Sequence, residues 1–333
     1  MKIALLEVSH WHFPLYIDAL MTAVAKSGAE IIGVSDRDKA IRETYGNKFG
    51  CPAYAEWRGL LGETEPDTAF AFGRHREMPE IGRALIGLGI PFAIEKPAGL
   101  GARDVAALRQ EAEAAGVQVA VPLVQRVGPL QALLDRLIDE EGAAFTSTAW
   151  RFNAGPPSRY LSSGNGWMLD PNESGGGCLM NLGAHFVDLA LSLLPGPPNQ
   201  VFGHVDTCLH GAAVEDTALV TMTSPGGGRA LVETGYNFPD GPGKREYSFS
   251  LASRSHYVQT RPGGVAIFRP GKAAEEIDMN LDADLMYGIF AETFLGDLAA
   301  GRKLSPTLSD LEPAIRIIDA AYQSSRDGQV VNL

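Results

Sequence analysis

Apolar and polar positions along the first 120 residues alternate between two periods. "KIALLEV" is a short apolar run, and "PLYIDALMTAVAKSG" then repeats its apolar positions at helical spacing and stops at Gly28. "EIIGVSD" is a second run of buried-strand type, followed by "KAIRETYGNKFG" as a helix. "DTAFAFG", "PFAIEKP" and "VQVAVPLV" read as a third, fourth and fifth strand, separated by the helices "MPEIGRALIGLG" and "ARDVAALRQEAEAAG". Strands that alternate with helices predict βαβ units around a parallel sheet. Right-handed crossovers then make a doubly wound domain over residues 1–121, with ligands at the C-terminal ends of its strands.

Past Pro122 the pattern changes. "GPLQALLDRLIDEEG" predicts a helix and "FTSTAWRF" a strand. From Val201 to Arg269, five segments alternate apolar and polar residues between turn signals such as "SPGGGR" and "RPGG". They predict an open, mainly antiparallel sheet. Two helices follow, "DADLMYGIFAETFLGDLAAG" and "SDLEPAIRIIDAAYQSSRDG", the second starting at a Ser309 cap with Glu312 three residues on. Residues 122–333 therefore read as an α+β domain for substrate and for oligomer contact, its last helix free to pack back on the first domain.

Composition narrows the function more than the fold. The chain has 333 residues and a formal net charge of -12, the wrong sign for a nucleic-acid or anionic-membrane surface. Its three cysteines, Cys51, Cys178 and Cys208, have neither disulfide nor zinc spacing, which points to a reducing, cytoplasmic setting.

The first strand-to-helix turn should carry the phosphate-binding chemistry of such a domain. It reads "EVSHWHF", with no glycine of the usual G-x-G-x-x-G turn. Ser9 still offers backbone N–H groups at a helix start, with His10, Trp11 and His12 as further cofactor contacts. Two histidines one residue apart are a weak metal signal, and no metal is expected. Asp36, ending the second strand, suits an adenosine ribose and favours NAD. Arg37 beside it suits a 2′-phosphate and favours NADP, and a solvated Asp-Arg turn explains both residues as well.

The pair of motifs that decides the reading comes next. "GIPFAIEKPAGL" at the end of the fourth strand resembles the "EKP" signature of the glucose-fructose oxidoreductase / inositol dehydrogenase (Gfo/Idh/MocA) family. "GGGCLMNLGAHFVDLALSLL" resembles that family's G-G-G-x-x-x-D-x-G-x-H-x-x-D helix, and "VPLVQRVGP", "WMLDPNESGGG" and "RIIDAAYQSSRDGQVV" resemble neighbouring segments. The resemblance runs nearly end to end. It implies a Rossmann-type dinucleotide domain and hydride transfer between NAD or NADP and a secondary alcohol or carbonyl of a sugar, inositol or related polyol. It also implies a homodimer or homotetramer formed through the flat second sheet.

By the same resemblance His185 is the base toward the alcohol, and Lys96 binds the reacting oxygen. Glu95, Lys96 and Pro97 then border the nicotinamide, and the triple glycine, Gly175 to Gly177, brings backbone close to the substrate. Three departures stand out. The glycine turn is replaced, the loop after the third strand is Gly73-Arg74-His75 in place of a "P-N" pair, and the aspartate of the glycine-started helix is Asn181. An amide there can donate to a substrate oxygen. Arg126, Arg151, Tyr160, Trp167 and Asp170 are candidates for the substrate wall, since polar groups beside aromatics suit a polyol. Rival readings are a dinucleotide-binding sensor or scaffold without turnover, favoured by the departures, and a redox-assisted glycosidase or lyase.

Overall fold

The computed structural model describes residues 1–239 and 245–333. Six strands form the first sheet: β1 (Lys2–Leu6), β2 (Glu30–Ser35), β3 (Ala53–Tyr54), β4 (Thr68–Ala71), β5 (Phe92–Ile94) and β6 (Val119–Ala120). They are all parallel, in the order β3-β2-β1-β4-β5-β6. This is the doubly wound arrangement, whose order reverses between β1 and β4 and opens a crevice at their C-terminal ends. The two-residue edge strand β3 carries too little pattern to be seen in sequence. The strand expected over "VQVAVPLV" stops at Ala120, because Pro122 cannot donate to the ladder and a 3-10 turn begins at Val124.

The second sheet has nine strands. They are β7 (Ser147–Asn153), β8 (Gln200–Asp206), β9 (Thr217–Thr223), β10 (Arg229–Gly235), β11 (Glu246–Ala252), β12 (Tyr257–Arg261), β13 (Gly264–Phe268), β14 (Glu275–Asp278) and β15 (Val331–Asn332). The order is β14-β13-β12-β11-β7-β10-β9-β8-β15. Every pairing is antiparallel except the central one, where β7 and β10 run parallel from Ser147↔Arg229 to Asn153↔Gly235. The fold is thus α/β, a parallel sheet with flanking helices joined to a mixed, mainly antiparallel sheet.

The last two helices tie the halves together. Helix Ala283–Ala299 lays Tyr287, Phe290 and Phe294 against Ile3, Leu5 and Phe70 of the first sheet. Helix Leu308–Asp327 packs on β8 and on the helices Ala102–Ala115 and Ala184–Leu193. It begins two residues earlier than expected: Thr307 and Asp310 cap each other reciprocally. Ser309 lies inside the helix, and Glu312 pairs with Arg109 and Arg316. The stretch Pro171–Leu193 is long and apolar enough to cross a membrane, but 89% of its apolar window is buried within the fold.

Candidate active site

The triple glycine has a packing cause. Gly175 has φ +78, and a Cβ there would strike the Leu100 carbonyl. A Cβ on Gly176 would collide with the Tyr322 hydroxyl, and one on Gly177 with the Glu215 backbone. The buried Glu215 carboxylate accepts from the Gly177 and Leu179 N–H groups, at 2.8 and 2.9 Å, and from Tyr322 at 2.8 Å. The glycines therefore bring the chain against protein, not against substrate. What they achieve is to seat the start of a helix whose first turn, Leu179–Gly183, is a π-helical bulge running into Ala184–Leu193. Such bulges are frequent at functional sites.

Asn181 and His185 project from this segment toward the end of β5. Lys96, buried there, donates to Asn181 Oδ1 at 2.6 Å and to the Asn181 carbonyl at 2.7 Å. Asn181 Nδ2 donates in turn to the Tyr160 hydroxyl at 2.6 Å. The amide thus has both ends engaged inside the protein, where sequence reasoning had it donating to substrate. Burial, only partly offset by Glu95 and reinforced by Arg159, lowers the Lys96 ammonium to about 8. Burial, then the charge of Lys96, holds His185 well below the usual histidine range, so it is neutral.

A line of contacts leaves His185 on its other side. His185 Nε2 is 3.5 Å from the Tyr287 hydroxyl, and that hydroxyl is 3.1 Å from His12 Nε2. His12 Nδ1 approaches Glu95 Oε2 to 3.1 Å without hydrogen-bond alignment. Glu95 Oε1 accepts from Tyr16 at 2.6 Å. His12 is kept neutral by burial and then by Lys96, while burial raises Glu95.

His12, Lys96, Tyr160, Asn181, His185 and Tyr287 wall a cavity of about 700 Å³ that also takes in Trp11, Gln125, Arg159 and Arg245. Of the residues marked in the sequence, Trp11, His12, Lys96, Tyr160, Asn181 and His185 meet here. His10, His75 and Trp167 form a ring cluster beside it, Trp167 lying 5.7 Å from His10 and 4.9 Å from His75 between centroids. Three candidates for the substrate wall lie elsewhere. Arg126 is bound by the buried Asp188 and by Asp310. Arg151 is exposed on β7 and pairs with Glu233 and Glu246 across neighbouring strands. Asp170 caps the short helix Pro171–Ser174 through the Asn172 N–H at 2.9 Å. Their side chains answer charges or caps of their own, which composition alone does not reveal. Missing from the sequence reading were Arg159, Tyr236 and Tyr287. Arg159 adjoins Tyr160 in "SRY", but Tyr287 sits in a helix with no motif to mark it.

The other end of the crevice is organised differently. Glu7 occupies the first turn with φ 59, a left-handed conformation that glycine adopts without strain. Its carboxylate is buried and raised to about 7 by desolvation and then by Asp36. Asp36 accepts from the Ser9 N–H at 2.6 Å and the Asp38 N–H at 2.8 Å. Arg37 binds both oxygens of Glu77 at 2.5 and 2.6 Å and lies 3.6 Å from Glu7. Gly73 accommodates Ile81, which a Cβ would strike. Arg74 reaches Glu173 at 3.4 Å, and His75 Nδ1 is 2.7 Å from the Ser174 carbonyl, so this loop is clasped by the second half of the chain. Among the described residues the N–H groups of His10 and Trp11 meet no acceptor.

Comparison with known proteins identifies the family. The profile described as "Oxidoreductase family, NAD-binding Rossmann fold" matches residues 15–123, and that of the GFO/IDH/MocA C-terminal domain matches residues 142–251. The chain belongs to the Gfo/Idh/MocA family. It is thereby an oxidoreductase, of dehydrogenase or reductase type, with an NAD-binding Rossmann domain. The first match begins beyond the residues of the altered turn. The chain is 24% identical over 95% of its length, and 96% of the relative's, to D-xylose 1-dehydrogenase (NADP(+)) 2 of Haloferax volcanii. Its fold matches levoglucosan dehydrogenase in complex with NADH and levoglucosan, with TM-score 0.87, 16% identity and 100% and 99% of the two chains covered. It also matches an oxidoreductase from Agrobacterium radiobacter in complex with NAD+, L-tartaric acid and magnesium, with TM-score 0.84, 18% identity and 100% and 98% coverage.

Proposed function

We propose that the protein transfers hydride between a nicotinamide dinucleotide, NAD in preference to NADP, and a secondary alcohol or carbonyl of a sugar or related polyol. The observation that carries this reading is the meeting of Lys96, Asn181 and His185 on one wall of a cavity at the end of β5. The residues also fit the cofactor. The free N–H groups of His10 and Trp11 suit a pyrophosphate. Asp36 suits the adenosine ribose, and the buried, unpartnered His10 Nε2, Trp11 Nε1 and His75 Nε2 lie along the crevice. Glu95, Lys96 and Pro97 border the nicotinamide end, with Ser9, His12, Gly73 and Arg74 along its flanks. When bound, the nicotinamide accepts or supplies the hydride.

The protein's own part is to handle a proton and a developing charge. Lys96 stabilises the reacting oxygen as a positioned cation, oriented by the two oxygens of Asn181. His185 Nδ1 is buried without a partner. With the proton of His12 on Nδ1, His12 Nε2 accepts from Tyr287, and Tyr287 accepts from His185 Nε2. That single direction of donation leaves the Nδ1 lone pair of His185 free for the substrate hydroxyl proton.

NAD preference follows from Arg37. A guanidinium already bound by Glu77 and facing Glu7 has no charge to spare for a 2′-phosphate, and Asp36 repels one. Tyr160 and Trp11 supply the apolar and hydroxyl wall of the substrate side. The exposed face of the second sheet, with Phe202 and Leu219, is the surface proposed for a second copy. The free cysteines fit a reducing compartment.

A second reading, a nucleotide-binding sensor without turnover, draws on Glu7 and on the engagement of the Ser9 N–H by Asp36. One experiment separates the two. Mass spectrometry of the purified protein identifies any retained nucleotide, and nicotinamide fluorescence over a panel of sugars, polyols and their acids then reports turnover. Reduction of the nucleotide by a polyol supports the dehydrogenase; bound nucleotide with no turnover anywhere in the panel supports the sensor.

A further inference from the structure

The charges that face the cavity do not balance. Its charged lining residues among those described are Lys96, Arg159, Arg245 and Asp284. Asp284 is already held by both Nη atoms of Arg245, at 3.0 and 2.5 Å. Lys96 and Arg159 remain, two cations with no further carboxylate among the described lining residues. The Arg159 side chain meets no carboxylate among the described residues, and its only hydrogen bond among them is the one that Nη2 donates to the Tyr160 hydroxyl at 2.7 Å.

The guanidinium is nevertheless firmly placed. It lies 4.8 Å from the Tyr160 ring centroid, 5.4 Å from Tyr236 and 5.7 Å from Trp11. Aromatic faces on three sides fix its plane and shield it from water, which strengthens whatever charge pairs with it. Its Nε is buried with no partner. Gln125 Nε2, Trp11 Nε1, His12 Nδ1 and His185 Nδ1 are further unpartnered buried atoms of cavity-lining residues. Arg159 Nε, Gln125 Nε2 and Trp11 Nε1 are obligate donors, since guanidine, amide and indole nitrogens accept nothing. A buried donor left without a partner is destabilising. Around Arg159 the described lining thus offers donors and positive charge, and one kind of ligand answers both.

We propose that Arg159 is a carboxylate subsite, and that the natural substrate is a polyhydroxy acid, an aldonate or uronate, rather than a neutral sugar. The planar fork of a single guanidinium matches a planar carboxylate. A phosphate would need further cations, and here Arg245 is committed to Asp284 while Lys96 faces the reacting oxygen. Arg159 adjoins Tyr160, which is joined through Asn181 to Lys96, so the carboxylate subsite and the reacting oxygen are linked by one run of hydrogen bonds. Anchoring the acid at Arg159 presents a hydroxyl-bearing carbon of the same molecule to Lys96 and His185.

This assignment rests on the dehydrogenase reading for its substrate, but its test does not. Binding of gluconate, glucuronate, glucose, sorbitol and glucose 6-phosphate is measured by calorimetry on the full chain with NAD present, for the wild type, Arg159→Gln and Arg159→Lys. The proposal expects the two acids to bind more tightly than their neutral counterparts. It expects Arg159→Gln to weaken the acids by on the order of 10–100-fold, the worth of a charge-assisted bond pair, with neutral ligands little changed. Arg159→Lys, which keeps charge and loses the fork, should recover part of the loss. Glucose or sorbitol binding as well as the acids, acid binding indifferent to Arg159→Gln, or a clear preference for the phosphate would each overturn it. Circular dichroism of each variant establishes that it is folded. Acid binding that depends on Arg159 without reduction of NAD would uphold the subsite and count against the dehydrogenase reading alone.

Discussion

The two ends of the crevice face the same task of holding a polar ligand, and they are built in opposite ways. At the β5 end, neutral histidines, a buried lysine and several unpartnered donors surround an open cavity. At the β1–β2 end the charged groups have already found one another: Asp36 holds the Ser9 N–H, and Arg37 holds Glu77. The first end is incomplete without a ligand. The second must loosen internal contacts to accept one. In the proposed reading the chemistry sits at the β5 end, and nucleotide choice rests on contacts that a single substitution can release.

The sharpest way to break this contrast is Lys96→Ala. It removes a positioned donor from the reacting oxygen, and kcat should fall by on the order of 10²–10³ while NAD affinity by titration stays near wild type. A variant with near-normal turnover would remove Lys96 from the chemistry.

Glu77→Gln probes the other end. Freeing Arg37 should tighten NADP by roughly tenfold, the value of about 1.4 kcal/mol in a charge-assisted contact, and leave NAD nearly unchanged. Equal effects on both nucleotides would mean that Arg37 does not read the 2′ position.

Asn181→Asp sharpens the account of the β5 end through pH. A carboxylate beside Lys96 and one turn from His185 favours the charged form of both. Both limbs of the kcat/KM profile should therefore move to higher pH. The Nδ2 donation to Tyr160 is lost at the same time, so kcat/KM at its optimum should fall. Unchanged limbs would place neither titration near residue 181.

The smallest effect is expected from the native alkaline limb itself. Lys96, lowered to about 8 by burial, must be protonated to act, so kcat/KM should decline as pH rises through about 8. Arg159 contributes to that lowering, and Arg159→Gln should shift the limb upward, measured with a neutral polyol. A limb that stays in place would separate Lys96 from it.

Much of this was legible beforehand because it follows from period. The parallel sheet, its helices and most of the second sheet are written as alternation between spacings of strand and helix. β3 escaped because two residues make no period, β15 was legible only through the family's terminal strand, β13 and β14 were not separated from the turns around them, and the parallel pairing of β7 with β10 escaped because register between distant strands has no local signature. Lys96, Asn181 and His185 could be found because their segments carry motifs. Arg126, Arg151 and Asp170 were misplaced for the converse reason. Their chemistry suited a substrate, but Asp188, Glu233 and the Asn172 N–H, all invisible as neighbours in the chain, claim them first. The triple glycine was read as room for a ligand, whereas the atoms that need the room are those of Leu100, Tyr322 and Glu215.

The central claim is hydride transfer at the β5 end, and isotope transfer tests it most directly. Purified protein is incubated with NAD and polyols or polyhydroxy acids deuterated at their carbinol carbons, and the nucleotide is weighed by mass spectrometry. The account predicts deuterium on the reduced nucleotide with the wild type and its near disappearance with Lys96→Ala, at matched nucleotide binding. Nucleotide that binds to the wild type yet gains no label from any substrate in the set would contradict it.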